Sequence, residues 1–334
     1  MSNHVPLYVT ASITAAGVLG GAYLAYRLSQ DKPPKLPETW EKVGVLKTIN
    51  VFPIKSCAPV VLDTVECTYL GCRDGWLRDR VLMVVDEKDN FISARGYPEL
   101  LQVFPTVRNS VLTLSHANME SVHVNLAEVV ALHKPTTAVV WGDPVTVYDC
   151  GWEASEWFSR LIDRSSGSYR LVYYSADNCR KLRSSANKIY KFTKNDTGAL
   201  PDETSFNIVN EASIDDLNTR LEPNSQVSQR NFRPNFVMTG AQAYAEDKWK
   251  FLKIGENVFE IIKPCFRCVL TTIDPETGVR NSKTEPLTEL KKYRQAVSAE
   301  ERRSCGNSPR MGLQLALRSG PGGKVSLNDP IYAA

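Results

Sequence analysis

Two thiols flank a guanidinium in Lys263-Pro264-Cys265-Phe266-Arg267-Cys268, ahead of an apolar run over 269–273 that reads as a strand. A thiolate binds soft metals, and a neighbouring arginine both lowers a thiol's pKa and can hold an anionic ligand. The combination points to a metal centre carried by a phosphorylated cofactor. Other readings of the pair stay open. A thioredoxin-like redox site needs its cysteines at the start of a helix in a βαβ unit, and here a strand is expected to follow. Cys67 and Cys72 could complete a four-cysteine zinc site. Inert buried thiols are the commonest fate of cysteine.

Anion-binding groups for such a cofactor must come from elsewhere in the chain. Pro53 ends a strand, and Lys55 and Ser56 follow in a turn with an ammonium and a hydroxyl. Leu77-Arg78-Asp79-Arg80 and Phe91-Ile92-Ser93-Ala94-Arg95 set arginines at the ends of apolar strands, and one of Arg78 or Arg80 is expected to pair with Asp79. Asp202-Glu203-Thr204-Ser205 leads into a strand with two adjacent hydroxyls that suit a phosphate or polar pterin atoms, although taken alone the motif reads as a cap or turn. In Asn231-Phe232-Arg233-Pro234-Asn235, Pro234 should hold Arg233 extended, and Asn235 offers both donor and acceptor to a heterocycle. Arg180, Lys181, Arg183, Lys188, Lys191 and Lys194 read as a solvated basic face.

The elements that must position these groups are mostly strands. Short β-like runs over 43–52, 81–86, 109–115, 120–126, 137–148, 169–174, 206–210, 235–239, 250–254, 258–262 and 269–273 are punctuated by Gly, Pro, Asn and Asp. Helical patterns cover 153–161, a segment beginning at Ser213 as N-cap, and 285–296. The fold class is α+β, mostly β, of barrel or sandwich type, with a boundary near 165–185.

Composition narrows the chemistry. The 334 residues can bury one large core or two ordinary ones. A balance of 40 Lys+Arg against 37 Asp+Glu leaves a net charge of +3, too small to argue for nucleic acid. Eight scattered cysteines suit a reducing compartment better than a disulfide scaffold. The four histidines end at His133, which excludes His-rich zinc chemistry from the second half. Residues 5–26 carry no charge and, as a helix rising about 1.5 Å per residue, can cross about 30 Å of hydrocarbon. Basic Arg27, Lys32 and Lys35 follow this run rather than precede it, which favours a retained signal anchor with the body on the cytosolic side over a cleaved secretory signal.

In order and spacing, Pro53-Ile54-Lys55-Ser56-Cys57, the Asp79 and Arg95 motifs, Asn231 to Asn235, Cys265 to Cys268 and Thr271-Thr272-Ile273-Asp274-Pro275 resemble the molybdenum-cofactor sulfurase C-terminal (MOSC) domain family, in its amidoxime-reducing branch. The resemblance runs from about Val43 to the end. It implies Cys268 as the thiolate ligand of molybdenum, beside the two sulfurs of the pterin dithiolene. It also implies Lys55, Ser56, Arg80, Thr204, Ser205, Arg233, Asn235 and Arg267 as partners of molybdopterin and its phosphate. Phe266 would contribute through its backbone, and Cys265 would stand behind the ligand without binding metal. The implied architecture is a MOSC β-barrel over 176–334 packed with an N-terminal MOSC domain over 43–175, behind a transmembrane segment over 1–28 and a stem over 29–42. The implied activity is reduction of amidoximes, hydroxylamines and N-oxides, with electrons from NADH through cytochrome b5 reductase and cytochrome b5, at the mitochondrial outer membrane facing the cytosol. A non-catalytic carrier of the cofactor is the alternative on the same residues.

Overall fold

The computed structural model describes residues 34–162, 168–182, 189–319 and 322–334. The expected signal anchor over 1–28 lies outside the described residues, as do parts of the stem and of the stretch 165–185. Among the described residues no helix is long and apolar enough to cross a membrane.

Seven strands close into a barrel: β1 (Glu41–Val51), β2 (Phe206–Asn210), β3 (Phe236–Thr239), β4 (Phe251–Ile254), β5 (Asn257–Phe266), β6 (Arg310–Leu317) and β7 (Pro330–Ala333). Their order around it is β3-β2-β6-β5-β4-β7-β1, and antiparallel pairing of β1 with β3, Ile49 opposite Phe236, closes the ring. Closure leaves these strands no free edge. Alternate residues face inward, so Phe206 and Ile208, Phe236 and Met238, Leu252 and Ile254, and Leu313, Leu315 and Leu317 share one buried cluster. Within it Phe236 stacks on Phe206 at 5.8 Å, and Phe259 meets both rings edge-on. The closing seam demands Gly44, where a Cβ would stand 2.2 Å from the Thr239 carbonyl oxygen.

Strands β2 and β3 run parallel, so the chain between them must cross over. Helices Glu211–Arg220 and Gln229–Phe232 make that crossing, which ends at Arg233, Pro234 and Asn235 immediately before β3. A second apolar cluster lies between a four-stranded sheet, a three-stranded sheet and helix Trp152–Ile162, whose Trp157 and Phe158 are its largest members.

The mostly-β expectation holds, with six α-helices among the described residues. Local expectations are corrected at several points. The run over 137–148 is a hairpin, Pro135–Val140 against Asp143–Asp149, turning at Trp141 and Gly142. Residues Val269–Thr272 form a single 3-10 turn rather than a strand, because the Thr271 and Thr272 hydroxyls donate to the carbonyls of Cys268 and Val269 at 3.0 and 2.7 Å. The long strand β5 thus runs into the cysteine pair, with Cys265 inside it, and the turn that starts after Cys268 is too short for the helix of a thioredoxin-like site. Asn210, not Ser213, caps helix Glu211–Arg220, accepting from the Ala212 N–H at 3.2 Å, while the Ser213 hydroxyl donates to Glu246. The helix expected over 285–296 spans Leu287–Tyr293.

Candidate functional site

A cleft of about 1070 Å³ gathers side chains from segments spread between Lys55 and Gln314. Of the ten residues expected at the site, nine line it: Lys55, Ser56, Arg80, Thr204, Arg233, Asn235, Phe266, Arg267 and Cys268. Ser205 does not, since its hydroxyl is turned to the Tyr69 carbonyl at 2.6 Å. Seven cationic side chains face the cleft against three carboxylates, Asp143, Asp202 and Glu203.

One end of the cleft is built on Asp79, which is 1% exposed. Its Oδ1 accepts from the Phe52 N–H and from Asn235 Nδ2, both at 2.9 Å, and its Oδ2 pairs with Arg80. Asn235 also accepts from the Asn207 N–H at 3.2 Å, so both ends of its amide are engaged with protein groups and its work is to position neighbours. The Thr204 hydroxyl likewise donates to the Phe206 carbonyl at 2.9 Å. Arg80 and Arg233 both lie over the Phe52 ring, 4.6 and 4.3 Å from its centroid. Ser56, Arg80 and Arg233 have φ of 76°, 48° and 51°, a cluster of left-handed residues at one site. For Arg233 this corrects the expected extended backbone: it closes helix Gln229–Phe232, its N–H bonding to the Gln229 carbonyl at 3.1 Å, and that cap requires the left-handed region.

Arg267 Nε and Nη1 donate to the carbonyls of Met311 and Phe232 at 2.7 and 2.8 Å. Its Nη2 has no partner, and neither has Nη2 of Arg233. Burial pushes both arginines below the usual range, Arg233 to about 9 with Arg80 adding to the shift. Burial also takes Lys55 down to about 8, against the pull of Asp202. Two buried guanidinium groups without a carboxylate partner, each with an unbonded N–H, beside the Asp202-paired ammonium of Lys55, describe a cradle for an oxyanion such as a phosphate.

The thiol end is organised by Arg95 and Asp202. Arg95 Nε donates to Cys268 Sγ at 3.1 Å and Nη2 to Asp202 Oδ2 at 2.7 Å. Burial opposes the charge on Asp202, but Lys55 and Arg95 outweigh it and hold the carboxyl well below the usual carboxylate range. Burial opposes the charge on Arg95 too, and Asp202 and Cys268 outweigh it and raise its pKa. Cys265 is buried behind this arrangement and receives Gln314 Nε2 at 3.6 Å. Arg180, expected on a solvated face, is 3% exposed and ion-paired to Asp143 at 2.6 Å on the cleft wall, so its neighbours in sequence misrepresent it. From sequence alone Arg95 is a strand-end arginine able to reach an anion, and Asp202 has no role. Nothing in sequence spacing signals that Arg95 reaches a sulfur far along the chain.

The four-cysteine zinc alternative does not assemble. Cys67 and Cys72 are cross-strand partners sunk in the barrel-side cluster, with thiol pKa values raised by burial. Among the described residues no group of three or more His, Cys, Asp or Glu could hold a metal ion.

Two expectations follow for the cradle. The folded pKa of Lys55, about 8, lies below its ordinary 10.5, so between these values the folded chain binds fewer protons than the unfolded one. The destabilisation is complete below about pH 8, and stability of the cofactor-free protein should rise as pH climbs toward 10.5. Phosphate affinity should move the opposite way, weakening as the ammonium loses its proton. Thermal melts and calorimetric phosphate titrations across that range check both signs. Gly312 of β6 has φ +74°, and a Cβ there would stand 2.6 Å from the Ile208 carbonyl oxygen and 3.2 Å from Arg267 Nη2. Gly312→Ala should therefore cost roughly 2 kcal/mol in a urea melt and weaken phosphate binding by displacing Arg267.

Residues 43–165 match the model of the MOSC N-terminal beta barrel domain, and residues 195–332 that of the MOSC domain. The chain is 34% identical over 325 residues to mitochondrial amidoxime-reducing component 1 of Homo sapiens, spanning 96% of this chain and 92% of that one. It is 36% identical over 292 residues to mitochondrial amidoxime reducing component 2 of Bos taurus, spanning 87% and 84%. Against mitochondrial amidoxime-reducing component 1 of Xenopus laevis the identity is 32% over 333 residues, spanning 99% and 93%.

Proposed function

The chain belongs to the MOSC-domain family that includes the mitochondrial amidoxime-reducing components, and from that membership we propose that it binds the molybdenum cofactor and reduces N-hydroxylated compounds. One observation carries the reading: Cys268 shares a cleft with two buried guanidinium groups, Arg233 and Arg267, each holding an N–H without a partner. An unbonded buried N–H on a cation is costly, and a phosphate oxygen removes that cost. Arg233, Arg267, Lys55 and Arg80 would hold the phosphate and pterin. Cys268 would bind the metal, with Arg95 holding the sulfur in place.

When bound, the cofactor supplies removal of oxygen from an N–O bond of an amidoxime, hydroxylamine or N-oxide. The chain's own work is to bind, orient and exclude water. Asp79 and Asn235 fix Arg80, and Asp202 fixes Arg95 and Lys55. The sequence carries no dinucleotide-binding fingerprint, and cytochrome b5 and its NADH-dependent reductase are the proposed electron donors. The proposed location is the mitochondrial outer membrane with the body in the cytosol; the relatives' names support the organelle alone, and the uncharged segment over 5–26 followed by basic residues supports a membrane anchor with that orientation.

The test is elemental analysis of the purified protein followed by assay. Stoichiometric molybdenum and NADH-driven conversion of benzamidoxime to benzamidine through cytochrome b5 are expected. Molybdenum without turnover would make the chain a cofactor carrier, and zinc in its place would end the reading.

A further inference from the structure

Two-residue hairpin turns in which both residues have positive φ belong to type I′, and they strongly favour Asn or Gly, because a Cβ in the left-handed region is strained. In the hairpin of Pro135–Val140 with Asp143–Asp149, Val140 pairs with Asp143, and the two turn residues are Trp141 and Gly142, with φ of 53° and 84°. Gly142 fits that requirement. A tryptophan at the first position does not, and strain of this kind persists where the surroundings or a function demand it.

Packing does not demand it either, since Trp141 is 54% exposed. What surrounds it is the cleft. Its indole lines the cleft wall, and Nε1 donates to Asp202 Oδ1 at 2.9 Å. The Arg95 guanidinium lies 5.1 Å from its ring centroid, and that guanidinium is bonded to Cys268. Phe91 meets the ring edge-on at 4.8 Å and braces it. A half-exposed indole, with Arg95 over its ring, is thus held by Asp202 and Phe91 and linked to the sulfur through Arg95, at the price of backbone strain.

We infer that Trp141 is a specificity-determining residue, whose open indole surface receives a flat, conjugated substituent of the substrate and so favours aryl over alkyl N-hydroxylated compounds. The inference rests on the proposed reductase reading for its substrate class. The indole packs against the aryl plane and leaves the N–O group toward Cys268.

The experiment compares cofactor-loaded parent protein with Trp141→Ala and Trp141→Asn, using benzamidoxime and acetamidoxime as aryl and alkyl substrates. The ratio of kcat/KM for aryl over alkyl should fall about tenfold in both variants, carried by KM, the size expected for a lost aromatic contact. A ratio within about twofold of the parent overturns the inference, as does an equal loss for both substrates, which would mark the indole as a prop for Asp202. Trp141→Asn should melt no lower than Trp141→Ala, since Asn accepts the left-handed turn. If the loaded parent reduces neither substrate, the reductase reading fails. Calorimetric titration with benzamidine then still decides the aromatic site: about tenfold weaker binding to the variants sustains it, and equal or absent binding overturns it.

Discussion

Cys268→Ala is expected to remove benzamidoxime turnover while the chain stays folded. The sulfur is partly exposed, accepts from Arg95 Nε at 3.1 Å, and belongs to none of the apolar clusters. Arg95 retains its ion pair with Asp202 at 2.7 Å when the sulfur is gone. Stability should therefore move by no more than about 0.5 kcal/mol, the range of substitutions outside packed or networked positions. The fall in turnover should exceed about a hundredfold, because changes outside a metal's direct ligands already cost roughly ten to a hundredfold. Molybdenum content measured on the same sample shows whether the metal leaves with the sulfur. Turnover within about twofold of the parent would sink Cys268 as the ligand.

The largest loss of stability is expected at Asp79. Its carboxylate is 1% exposed and is shared by the Phe52 N–H, the Asn235 amide and the Arg80 guanidinium. The Arg80 side chain is itself only 13% exposed, so Asp79→Ala leaves a cation in the interior without its counter-charge. Breaking a buried pair from one side costs roughly 3–5 kcal/mol. Arg80 and Asn235 line the cleft, so the same change should weaken phosphate binding measured by calorimetry. A urea-melt difference under about 1 kcal/mol would show that Asp79 is not the hub on which this end of the cleft depends.

The barrel strands were legible where apolar residues alternate between turn-forming residues, as in Phe206–Asn210 and Phe251–Ile254. Strand Arg310–Leu317 is absent from the expected strands, although Met311, Leu313, Leu315 and Leu317 carry the same alternation, because Gly312 interrupts its texture. Closure of the ring was not legible, because Ile49 and Phe236 meet across most of the chain and nothing local marks them as partners. The 3-10 turn at Val269–Thr272 was read as a strand because two β-branched threonines favour strands by propensity. Their hydroxyls instead bond back to the carbonyls three residues earlier.

The kinds of groups available can be read directly along the chain: a cysteine pair bracketing an arginine, several arginines and a lysine at strand ends, and no imidazole beyond His133. Those residue types name the chemistry, because sulfur, guanidinium and ammonium keep their affinities wherever the fold puts them. Which cations find a counter-charge depends on where folding brings them. Lys55 and Arg95 converge on Asp202 and Arg180 on Asp143, while Arg233 and Arg267 face the cleft with an unbonded N–H and no carboxylate partner, and Arg180 keeps an unbonded Nε–H beside its ion pair. The physical reason is range: a charge pair or hydrogen bond acts over a few ångströms of space, and folding brings together residues that the chain holds far apart.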